Sequence, residues 1–436
     1  MEESRHLLRR VAVVSVSVLV IAATLAVAWR GNAHEVITTK ITFNKEIVRI
    51  LSKTCMSCHR PGGLAPMALT TYQEARPWAK AIKEEVLERR MPPWHAVAGY
   101  GEFANDPSLA GREIDLITAW VDGGAPKGDD KDLAPLPDFG QEWPLGTPDL
   151  ILAPSAPYSV KAGEDDECRC FVLQNPSSED RWIKAIDLQP GDRSVVQRAF
   201  IWIDQTGKSD RLNTADDKPG YSCFGGRGLQ PSGNLGGWVP GQNAIAFPLG
   251  TAHLLSRGAR LIMQIHYRQS GGETQDLTRV GLYFAKGAVE KKLRSAAVVN
   301  TRFEIPPGDP SFRVKATYTF SQNAEAISVL PHMHFLGKSI EVAAIRPDGT
   351  RETLVWVRNY DVKWQSSYIF KRPVALPAGT RVEVTAYYDN SDRNSRNPNQ
   401  PPAPVRWGES ARDEMCAAYL TYTLKNELLT QGRSGQ

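Results

Sequence analysis

Cys55-Met-Ser-Cys58-His59 places two thiols three residues apart, with an imidazole directly after the second. That spacing suits covalent attachment of a c-type haem. The thiols of Cys55 and Cys58 add to the two vinyl groups, and His59 ligates the iron. A bare cysteine pair also serves zinc or thiol redox chemistry, but the following His and an export-type N-terminus favour haem. A second set of donors lies far downstream, in His332-Met-His334 and in Asp413-Glu-Met415-Cys. Residues i and i+2 of a strand face the same way, so both imidazoles can meet one ion. Two imidazoles and a soft thioether suit copper better than zinc or magnesium.

The haem iron needs a second axial ligand, and Met91 is the first candidate. Met-Pro-Pro-Trp puts a thioether on a stiff segment that cannot continue a helix. Met67 and His95 are its rivals. A Met axial ligand raises the potential relative to bis-His ligation, as an electron carrier requires.

These residues need elements to position them. The chain has 436 residues, long enough for about three domains, and 30 Pro with 35 Gly favour sheet-rich architecture after the first hundred or so residues. Net charge is +4 with no basic stripe, which argues against a nucleic-acid partner. Arg5, Arg9 and Arg10 precede an uncharged run over 11–29, so residues 1–33 read as a signal peptide or membrane anchor. Both readings place the rest outside the cytoplasm, in the periplasm or its equivalent, with 11–29 as the anchor to the inner membrane if it is uncleaved. Residues 41–128 read as helical, with helices over 44–52, 71–90 and 108–122. This outline is similar to a small class I cytochrome c, an all-α domain. A polar, Pro-rich linker over 129–144 follows. Beyond it, short alternating runs separated by Gly and Pro turns predict two antiparallel β domains, 145–294 and 295–427.

Over 145–427 the chain resembles the copper type II, ascorbate-dependent monooxygenases, the family of peptidylglycine alpha-hydroxylating and dopamine beta-monooxygenases. The matches run in order: Pro148-Asp-Leu-Ile-Leu, Cys170, Gln264-Ile-His266-Tyr, Pro331-His332-Met-His334-Phe-Leu-Gly-Lys and Asp413-Glu-Met415-Cys. The resemblance implies two jelly-roll domains, each with one copper. It implies that His332, His334 and Met415 hold the copper at which oxygen binds and a substrate C–H bond breaks. Tyr419 resembles a tyrosine of the substrate site. Cys170 and Cys223 resemble a family disulfide. Cys168 is unmatched, Cys416 lacks its usual partner, and pairing of these two stays open.

The departures redirect the functional reading. Where the family has an adjacent His pair for its first copper, this chain has Gln197 and Arg198, and only His266 survives. A guanidinium cannot coordinate copper, so the first-domain site is expected to be empty. His253 is expected to be a satisfied loop residue. Leu330 and Ala417 stand where the resemblance implies an Arg and an Asn that grip a peptide carboxylate, which argues against a peptide ending in glycine as substrate. One covalent haem c and one copper are therefore expected. The leading expectation is an oxidoreductase that uses O2 to hydroxylate a small organic substrate, with the haem domain as electron source and a periplasmic donor upstream. The alternative is an electron-transfer protein that binds haem and copper and has no substrate of its own.

Overall fold

The computed structural model describes residues 41–429 apart from 64, 137–142, 162–166, 224–227, 230, 240–243, 269–271, 409 and 411. The N-terminal run over 11–29 lies outside the described residues. Among those described, no helix is long and apolar enough to cross a membrane.

The helical unit is built on Phe43–Ile47 running into Val48–Thr54, then Ala79–Leu87 and Gly111–Asp122. The last helix packs across the first, with the rings of Phe43 and Trp120 6.2 Å apart. Ile47, Leu51, Met56 and Ile117 are fully buried between them. The helix expected over 71–90 is divided into Tyr72–Ala75, a tight turn Arg76–Trp78, and Ala79–Leu87. Pro77 explains the division, because its ring lacks an N–H and crowds the preceding turn. Thr71 and Glu74 cap the start reciprocally: Glu74 N donates to Thr71 Oγ1 at 3.2 Å, and Thr71 N donates to Glu74 Oε2 at 2.9 Å.

Two sandwich-like β units follow. In the first, Tyr221–Ser222, Glu167–Gln174, Arg260–Tyr267, Val196–Asp204 and Gly233–Trp238 form one sheet. It faces a second sheet centred on Arg181–Gln189 and Arg279–Phe284. Leu173, Ile201, Leu261, Met263 and Ile265 fill the space between. Strand alternation then turns Cys168, Cys170, Arg198, Trp202, Gln264 and His266 out of that core. In the second unit, Arg294–Asn300, Cys416–Leu424, Ala324–His332 and Tyr368–Leu376 oppose Phe312–Thr319, Arg381–Tyr388, Gly337–Ile345 and Arg351–Val357.

A bulge decides where His332 points. Ala324 and Ala326 face the second core, and an unbroken strand would carry 328, 330 and 332 inward with them. The register shifts between Ala326 and Ser328, so Val329 and Met333 enter the core while Ser328, Leu330 and His332 face outward.

The segment between the second and third major helices does not stay with the helical core. Residues 94–105 cross to the second β unit and cover one edge of each of its two sheets. Val97 N donates to Trp356 O at 2.8 Å on one edge strand, and Ala104 N donates to Ile369 O at 2.7 Å on the other. The Trp94 ring lies 4.8 Å from Tyr368 and 5.7 Å from Phe103. Unpaired edges and exposed rings are both costly, and this strap pairs with two of the edge strands and covers the Tyr368 and Phe370 rings. Trp94→Ala is expected to cost about 2–4 kcal/mol, somewhat under the loss for a fully buried ring, because Trp94 is half-buried. Chemical denaturation of the full chain followed by tryptophan fluorescence and far-UV dichroism measures it. An unchanged midpoint would show that the strap contributes nothing.

Candidate metal centre

The outward faces of the two β units meet, and a pocket lies between them. From the second unit it is lined by Leu330, His332, His334, Met415 and Tyr419. From the first it is lined by Arg198, Phe200, Trp202, Gln264 and His266. It encloses about 410 Å³, its open mouth included. The predicted copper ligands and the remnant of the first-domain site are thus neighbours in one pocket.

The geometry at His332 and His334 places an oxygen acceptor at the same nitrogen of each ring. His332 Nδ1 lies 2.6 Å from Gln365 Oε1, and His334 Nδ1 lies 3.0 Å from the carbonyl of Asp413. An oxygen acceptor on Nδ1 fixes the proton there and leaves the Nε2 lone pair for a metal. The ring centroids are 5.2 Å apart and nearly perpendicular, at 88°. Only His332 is on the strand, which ends at that residue, so His334 reaches the pocket from the loop beyond. Burial, and then the Arg198 charge, hold the His334 imidazole down at about 4, in the neutral form that metals require. Among the described residues no three His, Cys, Asp or Glu side chains form a metal-binding group. It is the Met415 thioether that completes the candidate set, and two imidazoles with one thioether fit copper.

Glu414 locks this arrangement. Its fully buried carboxylate accepts from His334 N at 2.8 Å, Leu336 N at 2.7 Å and Met415 N at 3.1 Å. It therefore ties the loop bearing His334 to the start of the strand bearing Met415. Burial raises its carboxyl to about 8. Sequence reasoning missed both this role and that of Gln365. Glu414 sits beside Met415 in the acidic stretch already noted, but nothing local marks Gln365, which is 33 residues from His332.

The first-domain remnant is differently built. Arg198 Nη2 lies 3.2 Å from His266 Nδ1, and Cys168 Sγ lies 3.6 Å from His266 Nε2. Both ring nitrogens are engaged. Gln197 is the extra residue of a bulge opposite His266 and Tyr267, and it does not line the pocket. His253 is not on a loop but on the strand Thr251–Leu255. It is buried against Phe247, and its Nε2 has no hydrogen-bond partner among the described residues.

No two cysteines are joined by a disulfide, so the Cys170–Cys223 bond is not formed in this structure. Cys223 instead contacts both Cys168 and Cys170, and its amide donates to the carbonyl of Cys168 at 3.1 Å. Cys416 lies elsewhere, beside Tyr388 in the second core, which separates it from Cys168.

At the helical unit, Cys55 and Cys58 are half-buried at the end of Val48–Thr54, and burial raises both thiols, Cys55 to about 11. His59 Nδ1 lies 3.3 Å from the carbonyl of Met67, which leaves its Nε2 lone pair for an iron. The residues therefore fit a haem held through His59. Met67 contributes that carbonyl on the His59 side. His95 lies within the strap, where burial lowers its imidazole and the charge of Asp361 opposes that shift. Met91 is half-buried just past Ala79–Leu87, with its amide 3.3 Å from Glu85 O.

Residues 294–431 match the family described as copper type II ascorbate-dependent monooxygenase, C-terminal domain. The second β unit thus resembles the C-terminal domain of copper monooxygenases, and copper is consistent with that family. DBH-like monooxygenase protein 1 of Mus musculus is 28% identical over 130 residues, which are 27% of this chain. The chain spans 20% of that relative. Among solved structures, the major capsid protein P2 of bacteriophage PM2 is 10% identical, covering 65% of this chain and 98% of that one at a TM-score of 0.27. Peptide N-glycanase F is 8% identical, covering 64% and 96% at 0.30. Superposition at that level bears on neither site nor chemistry.

Proposed function

We propose that this chain is an extracytoplasmic copper-dependent monooxygenase that hydroxylates a small organic substrate with O2. In this reading a covalent haem on Cys55, Cys58 and His59, with Met91 as its second axial ligand, is the electron source. The observation that carries it is the convergence of His332, His334 and Met415 on one pocket, with Nδ1 of both rings already held by oxygen.

His332 and His334 would hold copper through Nε2, and Met415 through its thioether. Bound copper supplies one-electron chemistry and a site for O2. The protein does the rest. Gln365 and the Asp413 carbonyl fix the rings, and Glu414 fixes the two ligand-bearing segments relative to each other. Trp202, Phe200 and Tyr419 wall the pocket with apolar surface and limit water. The Trp202 and Tyr419 rings meet 5.9 Å apart across the interface between the units. Arg198 sets a fixed positive charge beside His266 in place of a second metal.

Elemental analysis of metal-loaded full-length protein is expected to give one tightly held copper and one haem iron per chain. Anaerobic reduction followed by O2 and separate monitoring of the two centres should then oxidise both. Two tightly held coppers would contradict the reading of Arg198 and His266. Absence of copper with intact haem would leave only a haem protein.

A further inference from the structure

The copper pocket has an annex. A second compartment of about 430 Å³, its mouth included, shares Phe200, Leu330 and Tyr419 with the first. Beyond that shared wall it is lined by Ser328, Thr421, Ser295, Asn234, Gln365 and Ser367, with Leu420, Gly236 and Gly237. No charged side chain lines it among the described residues.

One face of one sheet arranges this sequence of surfaces. Strand pairing sets His332 opposite Ala417, Leu330 opposite Tyr419, and Ser328 opposite Thr421. Moving along the face, the walls therefore change from metal ligands to apolar side chains and then to hydroxyls. Four residues at roughly 3.3 Å each put Ser328 about 13 Å from His332. The first β unit closes the annex with Gly233–Trp238, where Gly236 has a left-handed φ of +102° that only glycine adopts without strain.

We infer that the two compartments bind one extended, uncharged substrate of about this length, with its reacting carbon at the metal ligands, an apolar middle, and a neutral hydrogen-bonding end among Ser328 and Thr421. A carboxylate or ammonium in the annex would be desolvated with no opposite charge to pair with, whereas an amide or hydroxyl finds donors and acceptors. This rests on the monooxygenase reading only for which end reacts.

Isothermal titration of full-length, metal-free protein with octanamide, octanoate and octylamine compares the charge classes at one chain length. Octanamide is expected to bind at least about tenfold tighter than either ion. Thr421→Val and Ser328→Ala should each weaken octanamide by roughly tenfold, while Thr421→Ser should restore it. Thr421→Lys should shift the preference to octanoate, and melting curves report whether each variant folds. Equal or tighter binding of either ion, no measurable octanamide binding, or octanamide affinity indifferent to both hydroxyl deletions in folded protein overturns the inference. Selective octanamide binding in a protein that takes up no copper would sink the monooxygenase reading and leave this one standing.

Discussion

His334→Ala and Met415→Ala are each expected to release the tightly held copper and lower oxygen-dependent turnover by more than about hundredfold, while haem absorption is unchanged. The size follows from the donor count. Three protein ligands are available, and removing one leaves a two-coordinate site, whereas losing an outer partner alone costs roughly 10–100-fold in metal affinity. Gln365→Ala provides that comparison, because it removes the oxygen 2.6 Å from His332 Nδ1, along with the amide's bond to Val362 O at 3.0 Å, and leaves all three candidate ligands in place. The fold should survive in His334→Ala, since Glu414 holds this segment through the His334 amide rather than the ring. Copper content by elemental analysis and haem absorbance on the same sample decide the matter. Copper retained in full by folded Met415→Ala protein would mean that the thioether is not a ligand.

The candidate ligand residues stand out in the sequence because their signals are local. Cys55, Cys58 and His59 fall within five residues, and His332 and His334 are two residues apart. The period-two alternation that announces strands also separated core from outward faces in Arg260–Tyr267, with Leu261 and Met263 inward and Gln264 and His266 outward. What stayed hidden depends on contacts distant in sequence. The bulge at Ala326 and Ser328 reverses the face that simple alternation assigns to His332, and nothing in Ala-Ile-Ser announces it. Gln365 acts across 33 residues and Glu414 across 80. The strap over 94–105 was absorbed into the helical unit because chain order suggests it, yet its apolar residues had better surfaces to cover on Tyr368 and Phe370. Gln197 and Arg198 were read as one lost ligand pair, but the structure treats them unequally. Gln197 is a bulged residue, and only Arg198 enters the pocket.

Cys55→Ala combined with Cys58→Ala is expected to abolish covalent haem and reduce sustained turnover by at least about tenfold, while leaving copper in place. Inserting one oxygen atom of O2 into a C–H bond and reducing the other to water takes two electrons, and one Cu(I) provides only one. His266, the one imidazole expected to remain from a first-domain site, is flanked by Arg198 and Cys168, so in the proposed reading the second electron comes from elsewhere. In that reading the helical unit is the source. It is tethered by the linker and also by the strap, which begins three residues after Met91 with Trp94 packed on Tyr368. The loop between the strap's two edge contacts carries Gln365, the partner of His332. Tethering raises the effective concentration of a donor without any new affinity. Haem staining after denaturing electrophoresis should show a band in the parent protein and none in the double variant. Rapid mixing of fully reduced parent protein with O2 and substrate then tests the electron itself. Haem oxidation should keep pace with product formation, and the double variant, with copper pre-reduced, should show at most one slow event. If the parent haem stays reduced while substrate is fully hydroxylated, the haem is not the electron source, and the helical unit serves some other partner.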